Sequence, residues 1–354
     1  MRPRRPFRTR VRDSALQGIR LAGGLAAASR SRWRTNRLLI LCYHGFAVED
    51  EHLWDPTLFV TRDHLESRLE FLAARGYAVL PLAEGLARLR AGALPPRAVA
   101  ITVDDGTYDF HAVAYPVFKR LGVPVTLYIS TYHVFDHRPV FDVAFRYLFW
   151  KAGASGEVEL RDPLDRAGQP LRTASERDQA ATRVCETVWR ERWSAEKKHD
   201  WLGQFTRSVG LDWEDFLRSR VLALMRPEEI GGLDPAVVDV QLHTHRHRVP
   251  EQRELFIREI EDNRRALGDC GLDPTRLTHF CYPSGVHRPA MLPWLAELGV
   301  TSAVTTDPGL ASAGHHPLLL PRFIDAGTTS QVEFEGWTSG VRHLISRPGA
   351  GLTR

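Results

Sequence analysis

Two carboxylates stand side by side in Thr102-Val103-Asp104-Asp105-Gly106, and two imidazoles stand four residues apart in His243-Thr244-His245-Arg246-His247. Each group directly follows an apolar run that reads as a buried strand, Ala98 to Val103 in the first case and Val237 to Leu242 in the second. In parallel α/β folds the C-terminal edge of such strands is where ligands bind. A spacing of four lets one helical turn, or a bent loop, bring both imidazoles to the same side. Two imidazoles with one carboxylate form a recurrent set for a catalytic zinc, and a neighbouring unligated carboxylate is placed to move protons. Asp-Asp-Gly is also an ordinary turn sequence, so the acids alone decide nothing. The histidine pair gives one of them a metal to share.

The elements that must carry these residues alternate along the chain. Arg37 to Tyr43 (RLLILCY) is the first strand and ends at His44. Asp63 to Arg75, with Leu65, Leu69 and Leu72 at helical spacing, and Leu82 to Arg90 are expected helices, with Tyr77 to Leu80 a strand between them. Tyr108 to Leu121 reads as a helix broken near Pro116, and Val125 to Ile129 as a strand. From about Phe141 to Arg226 the sequence turns charged and helical, with loop signals at Arg161-Asp162-Pro163 and Gly168-Gln169-Pro170. This stretch is read as an inserted helical subdomain. Alternation then resumes: a helix over Glu251 to Leu267, a strand over Thr278 to Tyr282, a helix over Ala290 to Leu298, and strands over Thr301 to Thr305 and Leu318 to Phe323. The fold class is therefore α/β, a distorted (β/α) barrel spanning 37–345 with an insertion at about 141–226, between a basic arm (1–36) and a tail (346–354).

Thr102-Val103-Asp104-Asp105-Gly106 paired with His243-Thr244-x-x-His247 resembles the first two motifs of the polysaccharide deacetylases, carbohydrate esterase family four with its nodulation-type chitooligosaccharide deacetylase domain. The resemblance runs from Leu38 to about Gly340, leaving the insertion outside. It implies a metal-dependent hydrolase that removes acetyl groups from N-acetylated glycans, with Asp105, His243 and His247 as metal ligands and Asp104 as general base. The implied cofactor is a divalent metal, Zn²⁺ first, with Co²⁺ or Mn²⁺ as substitutes. Thr244 is expected to fix the loop between the two histidines rather than touch substrate. The third motif of that family carries an arginine before a proline, whereas this chain has Phe280-Cys281-Tyr282-Pro283-Ser284, with Cys281 in the arginine's place. Tyr282, Pro283 and Ser284 are expected to line the substrate groove, the Ser284 backbone N–H assisting an oxyanion. Arg322 is the candidate replacement partner for Asp104, since an arginine can orient a carboxylate bidentately; the plain alternative is a surface arginine. The family's C-terminal Leu-x-His finds no counterpart here, but Leu41-Cys42-Tyr43-His44 resembles it at the start of the chain. That order is similar to the permuted branch of the family and makes His44 the candidate general acid, against a core or capping histidine. His315 and His316 are rivals in a Gly- and Pro-flanked loop. Hydrolysis of a non-sugar amide, or carbohydrate binding without catalysis, are the other readings.

Composition fits a folded body: 354 residues, 43% hydrophobic and 25% charged. Cys42, Cys185, Cys270 and Cys281 show no C-x-x-C spacing and are expected to be reduced. Residues 1–36 hold ten arginines and one acid, Asp13, so this arm carries about +9 and the body about −5 of the formal +4. A nucleic-acid partner is not expected, because the body lacks a basic surplus. Arg4-Arg5-Pro6-Phe7 loosely resembles a twin-arginine signal, yet Arg20 interrupts the stretch that follows, which disfavours export. No apolar run reaches the roughly 18 residues of a spanning helix. The arm is read as disordered, with peripheral contact at an anionic membrane surface as the second reading, and the expected location is cytoplasmic.

Overall fold

A computed structural model describes residues 7–154 and 173–345. The loop signals at 161–163 and 168–170, the Arg4-Arg5-Pro6 triplet and the 346–354 tail lie outside the described residues. Seven parallel strands follow one another around a closed barrel: β1 (Leu39–Tyr43), β2 (Ala98–Val103), β3 (Val125–Ile129), β4 (Val238–Leu242), β5 (His279–Cys281), β6 (Ser302–Pro308) and β7 (Leu320–Ile324). β1 pairs on one edge with β2 (Leu41↔Ile101) and on the other with β7 (Leu41↔Phe323), which closes the ring. The closure is uneven. β4 and β5 share the single register pair Leu242↔Phe280, and the β6–β7 register shifts between Leu320 and Arg322. The Tyr77 to Leu80 strand shortens to Ala78–Val79. It pairs with Ala98 and Val99 on the β2 edge that β1 leaves free, and so stays outside the ring.

Strand alternation decides what enters the barrel. Ile40, Ala98, Ala100, Tyr128, Cys281, Val304 and Leu320 form one buried cluster, while Leu39, Leu41, Val99, Ile101 and Val103 pack into the other, larger core. Cys42 and His44 continue the phase of Ile40, Thr102 and Asp104 that of Ala98 and Ala100, and Arg322 that of Leu320. His243 is out of phase with Val238, Val240 and Leu242, which belong to the outer core. The period of two thus aims polar residues from several strands at one mouth. Downstream of β2, the expected helix is a π-helical turn, Phe110–Ala114, running into an α-helix, Tyr115–Leu121. Pro116 lacks the N–H that a regular ladder would need there.

The arm corrects the expectation of disorder. Helices Phe7–Leu21, Gly24–Ser29 and Arg32–Thr35 pack on the Gln331–Ser339 helix and the foot of the barrel. Leu16 is fully buried, Arg12 pairs with Glu333 at 2.6 Å and Arg20 with Glu335 at 3.0 Å. Arg34 is completely buried and donates to the carbonyls of Arg37, Ala98 and Thr338. Composition within the first 36 residues cannot reveal acceptors some 300 residues away, and so reads the arginines as a solvated run. Within 141–226 the helices Phe141–Ala154, Ala174–Arg190, Ala195–Ser208 and Trp213–Ser219 enclose a core of their own around Phe145, Phe149, Leu202 and Phe205. Hydrogen bonds join them to the loops at the barrel mouth. Tyr147 and Lys151 bond to Asp50 in the loop after β1, and the Tyr108 and Met225 amides join the 220s to the loop after β2. Among the described residues no helix is long and apolar enough to cross a membrane.

Candidate active site

Asp104 directly follows β2, keeps the strand's inward phase and is 2% exposed. Arg322 grips it bidentately, Nη1 donating to Oδ1 at 2.8 Å and Nη2 to Oδ2 at 2.7 Å. The guanidinium is itself fully buried and completes its bonding with the Thr305 carbonyl (2.9 Å) and the Thr102 hydroxyl (3.1 Å). Burial disfavours a charge on Asp104, but the Arg322 guanidinium overrides it and holds the carboxyl well below the usual carboxylate range. Cys281 fits between them, its sulfur 3.3 Å from Asp104 Oδ2 and 3.2 Å from Arg322 Nη2. The thiol thus occupies the place that the resemblance assigns to an arginine, and the arginine arrives from β7 instead. His44 Nε2 lies 3.7 Å from Asp104 Oδ2, and its buried Nδ1 has no hydrogen-bond partner among the described residues.

Asp105 turns the other way. Its φ of 75° and that of Gly106, 78°, reverse the backbone directly after the strand. A Cβ on Gly106 would meet Ile129 at 2.6 Å, so the turn demands glycine twice over, for conformation and for space. Asp105 Oδ1 then lies 3.1 Å from His243 Nε2 and 3.2 Å from His247 Nε2, with its side chain 35% exposed. Burial would raise its pKa, yet bonds to the two histidines pull it well below the usual range; His247 is raised in turn, Asp105 outweighing its burial. His243 is held from behind. Its Nδ1 meets the Cys281 carbonyl at 2.8 Å, and its amide donates to Asn263, which also donates to the Ile129 carbonyl and Thr131. A ring anchored through Nδ1 presents the Nε2 lone pair outward, the tautomer a metal needs. Thr244 and His247 both have positive φ, and the buried Thr244 hydroxyl accepts from the Arg248 amide, which ties off the loop between the two histidines.

The ligand atoms of Asp105, His243 and His247 all lie within 4.8 Å of one another. One carboxylate oxygen and two imidazole nitrogens, converging on a half-exposed position, fit a divalent cation with room left for substrate or water. The geometry does not by itself choose zinc.

The third stretch differs from expectation. Tyr282 is a fully buried core residue whose hydroxyl donates to the Leu318 carbonyl, so its side chain does not line the groove. Pro283 is buried too, whereas Ser284 is exposed with φ of 55°. His315 and His316 are exposed and bonded to their own loop through Ser312 and Leu318. Among the buried acids that sequence reading missed are Asp109 and Asp325. Asp109 accepts from the Phe46 amide (3.0 Å) and Thr107 hydroxyl (2.6 Å), linking the loop after β2 to the one after His44; burial lifts its pKa to about 7. Asp325, next after β7, collects Arg68 Nε (3.0 Å), His64 Nε2 (3.0 Å) and the Tyr43 hydroxyl (3.1 Å). Its position beyond a strand end, in phase with Phe323 and not Arg322, is a signal only in retrospect.

No family model matches the chain. A poly-β-1,6-N-acetyl-D-glucosamine N-deacetylase of Staphylococcus aureus is 33% identical over 75 residues, 21% of this chain. The chain spans about a quarter of the length of that relative (26%). Solved structures cover much more. The Streptococcus pyogenes deacetylase PplD, in complex with acetate, superimposes with a TM-score of 0.55 at 20% identity, over 86% of this chain and 98% of that one. IcaB from Ammonifex degensii gives 0.53 at 16% identity, over 86% and 97%. In fold, and in the short stretch where sequence can be compared, the chain resembles the polysaccharide deacetylases.

Proposed function

We propose that the protein is a metal-dependent hydrolase of carbon–nitrogen bonds that removes acetyl groups from N-acetylated sugars of a glycan or glycan precursor. The observation that carries this reading is the division of two adjacent carboxylates, Asp104 to Arg322 and Asp105 to two histidines. A binding module would have no use for it. Asp105, His243 and His247 are the residues that would hold the metal, zinc by preference, which supplies electrophilic polarisation of the amide carbonyl and the attacking water. Asp104 is placed to accept, at its carboxylate, the proton of an attacking water. Its pairing with Arg322 keeps it ionised at the expense of basicity, a loss that a metal held at Asp105 would offset by making the water more acidic. His44, 3.7 Å from Asp104, is on hand to protonate the leaving amine. Ser284 is the remaining candidate for the groove wall. For location, the reading is a cytoplasmic protein whose arm touches an anionic surface through exposed arginines such as Arg30 and Arg32.

The test is acetate release from N-acetylglucosamine oligomers by purified protein reconstituted with Zn²⁺, Co²⁺ or Mn²⁺. Release that stops on chelation and returns with metal supports the reading. Absence of release with all three metals, alongside turnover of a non-sugar amide, would transfer the same site to a different substrate class.

A further inference from the structure

We infer that a second, softer cation site lies on the acid–base side of the groove, formed by Cys42 Sγ, His44 Nε2 and Asp104 Oδ2, and that Zn²⁺ bound there switches turnover off. Cys42 and His44 share the inward phase of β1, and Asp104 faces them from β2, the strand paired with it. Sulfur lies 3.6 Å and imidazole nitrogen 3.7 Å from the same carboxylate oxygen, and all three atoms fall within 4.8 Å of one another. A tetrahedral zinc with bonds of about 2.0–2.3 Å separates its ligand atoms by roughly 3.3–3.7 Å. Two of the three donor pairs therefore stand near zinc spacing already. No hydrogen bond pins the His44 ring, whose Nδ1 is unpartnered among the described residues, so the imidazole is free to close the small remaining gap. The mixed sulfur, nitrogen and oxygen set selects zinc or cobalt over manganese or magnesium.

Arg322 sets the limit on affinity. Its Nη2 is 2.7 Å from the same Asp104 oxygen and repels a cation, so this site is weaker than the one at Asp105 and fills only when metal exceeds one equivalent. Cys281 is the less suited thiol, because its sulfur already faces Arg322 Nη2 at 3.2 Å. Binding forms bonds from the metal to sulfur, nitrogen and oxygen as the cation sheds the waters they replace and the Cys42 thiol releases its proton to solvent; no oxidation state changes. The inhibitory consequence rests on the proposed roles of His44 and Asp104, whereas the existence of the site does not.

The experiment is a Co²⁺ titration of full-length, chelator-stripped protein, read by absorbance and by metal content after gel filtration. The first equivalent is expected to bind without a thiolate-to-cobalt charge-transfer band in the near ultraviolet, and the second to bring that band with it. Cys42→Ser and Cys42→Ala each keep the first equivalent and lose the second together with the band, while Cys281→Ser keeps both. With Zn²⁺, turnover falls beyond one equivalent in the parent but not in either Cys42 variant, each normalised to its own one-metal rate. A single equivalent at metal excess, or a band that survives in both Cys42 variants and vanishes in Cys281→Ser, overturns the proposal. Should the second equivalent behave as described while no amide is hydrolysed at any metal ratio, the site stands and the deacetylase reading falls.

Discussion

Asp104 and Asp105 are neighbours in the chain and opposites in surroundings. The first directly follows a strand, keeps its phase and is sealed between a buried guanidinium and two thiols. The second leaves the strand through a positive φ and faces the groove with two histidines before it. One peptide unit thus separates a carboxylate that a protein cation satisfies from one that awaits a cation from outside. Chemical division of labour between identical side chains comes here from backbone geometry, not from residue type.

The contrast breaks most sharply if metal and turnover are separated. His243→Ala is expected to abolish both bound metal and acetate release. Asp104→Asn keeps the metal and lowers the rate by roughly 10²- to 10⁴-fold, the range for a lost acid–base group. Metal analysis beside the assay decides, and equal metal loss in both variants would erase the distinction. Next in size, Arg322→Met leaves Asp104 buried without its partner and is expected to cost about 3–5 kcal/mol in urea unfolding. A change near zero would mean the pair is not the anchor of the dry half. His44→Ala should slow turnover within the same acid–base range with little change in melting temperature or metal content. An unaffected rate would make His44 a packing residue. The smallest effect concerns Asp109, which links the loop of His44 to that of the two acids. Its folded pKa of about 7 lies above the unfolded carboxylate value. From about pH 4 to 7 the folded protein therefore keeps a proton that the unfolded chain gives up, and stability falls as pH rises through that window. Asp109→Asn removes this contribution, so the stability difference between variant and parent should grow in the variant's favour across that range; a flat difference contradicts the assignment.

The barrel was largely legible because apolar runs and turn residues are local. Every ring strand begins or ends within two residues of its expected position except the C-terminal end of β6, which extends from Thr305 to Pro308. The Asp pair and the His pair were legible for the same reason, each being a short motif at a strand end. Arg322 has no motif of its own; only the arginine missing at Cys281 points to it, and the structure brings it from 218 positions away. Asp109 and Asp325 carry no local sign, since burial and partner choice are properties of the closed barrel. Tyr282 departs from expectation on similar grounds: its motif position suggests a groove wall, but the ring turns into the core, and only the backbone around Ser284 remains near the surface. The arm failed in the opposite direction. Its arginines looked unmatched because their acids lie at Glu333 and Glu335, on a helix near the far end of the chain.

That long separation has a consequence for how the molecule is made. Asp104 emerges from the ribosome 218 residues before Arg322, a delay of roughly 10 to 40 s at 5–20 residues per second. Over that interval neither the ring closure between β1 and β7 nor the counter-charge for Asp104 exists. A nascent chain therefore cannot hold the finished reaction centre, and the last barrel strand both completes the fold and arms the site in one event.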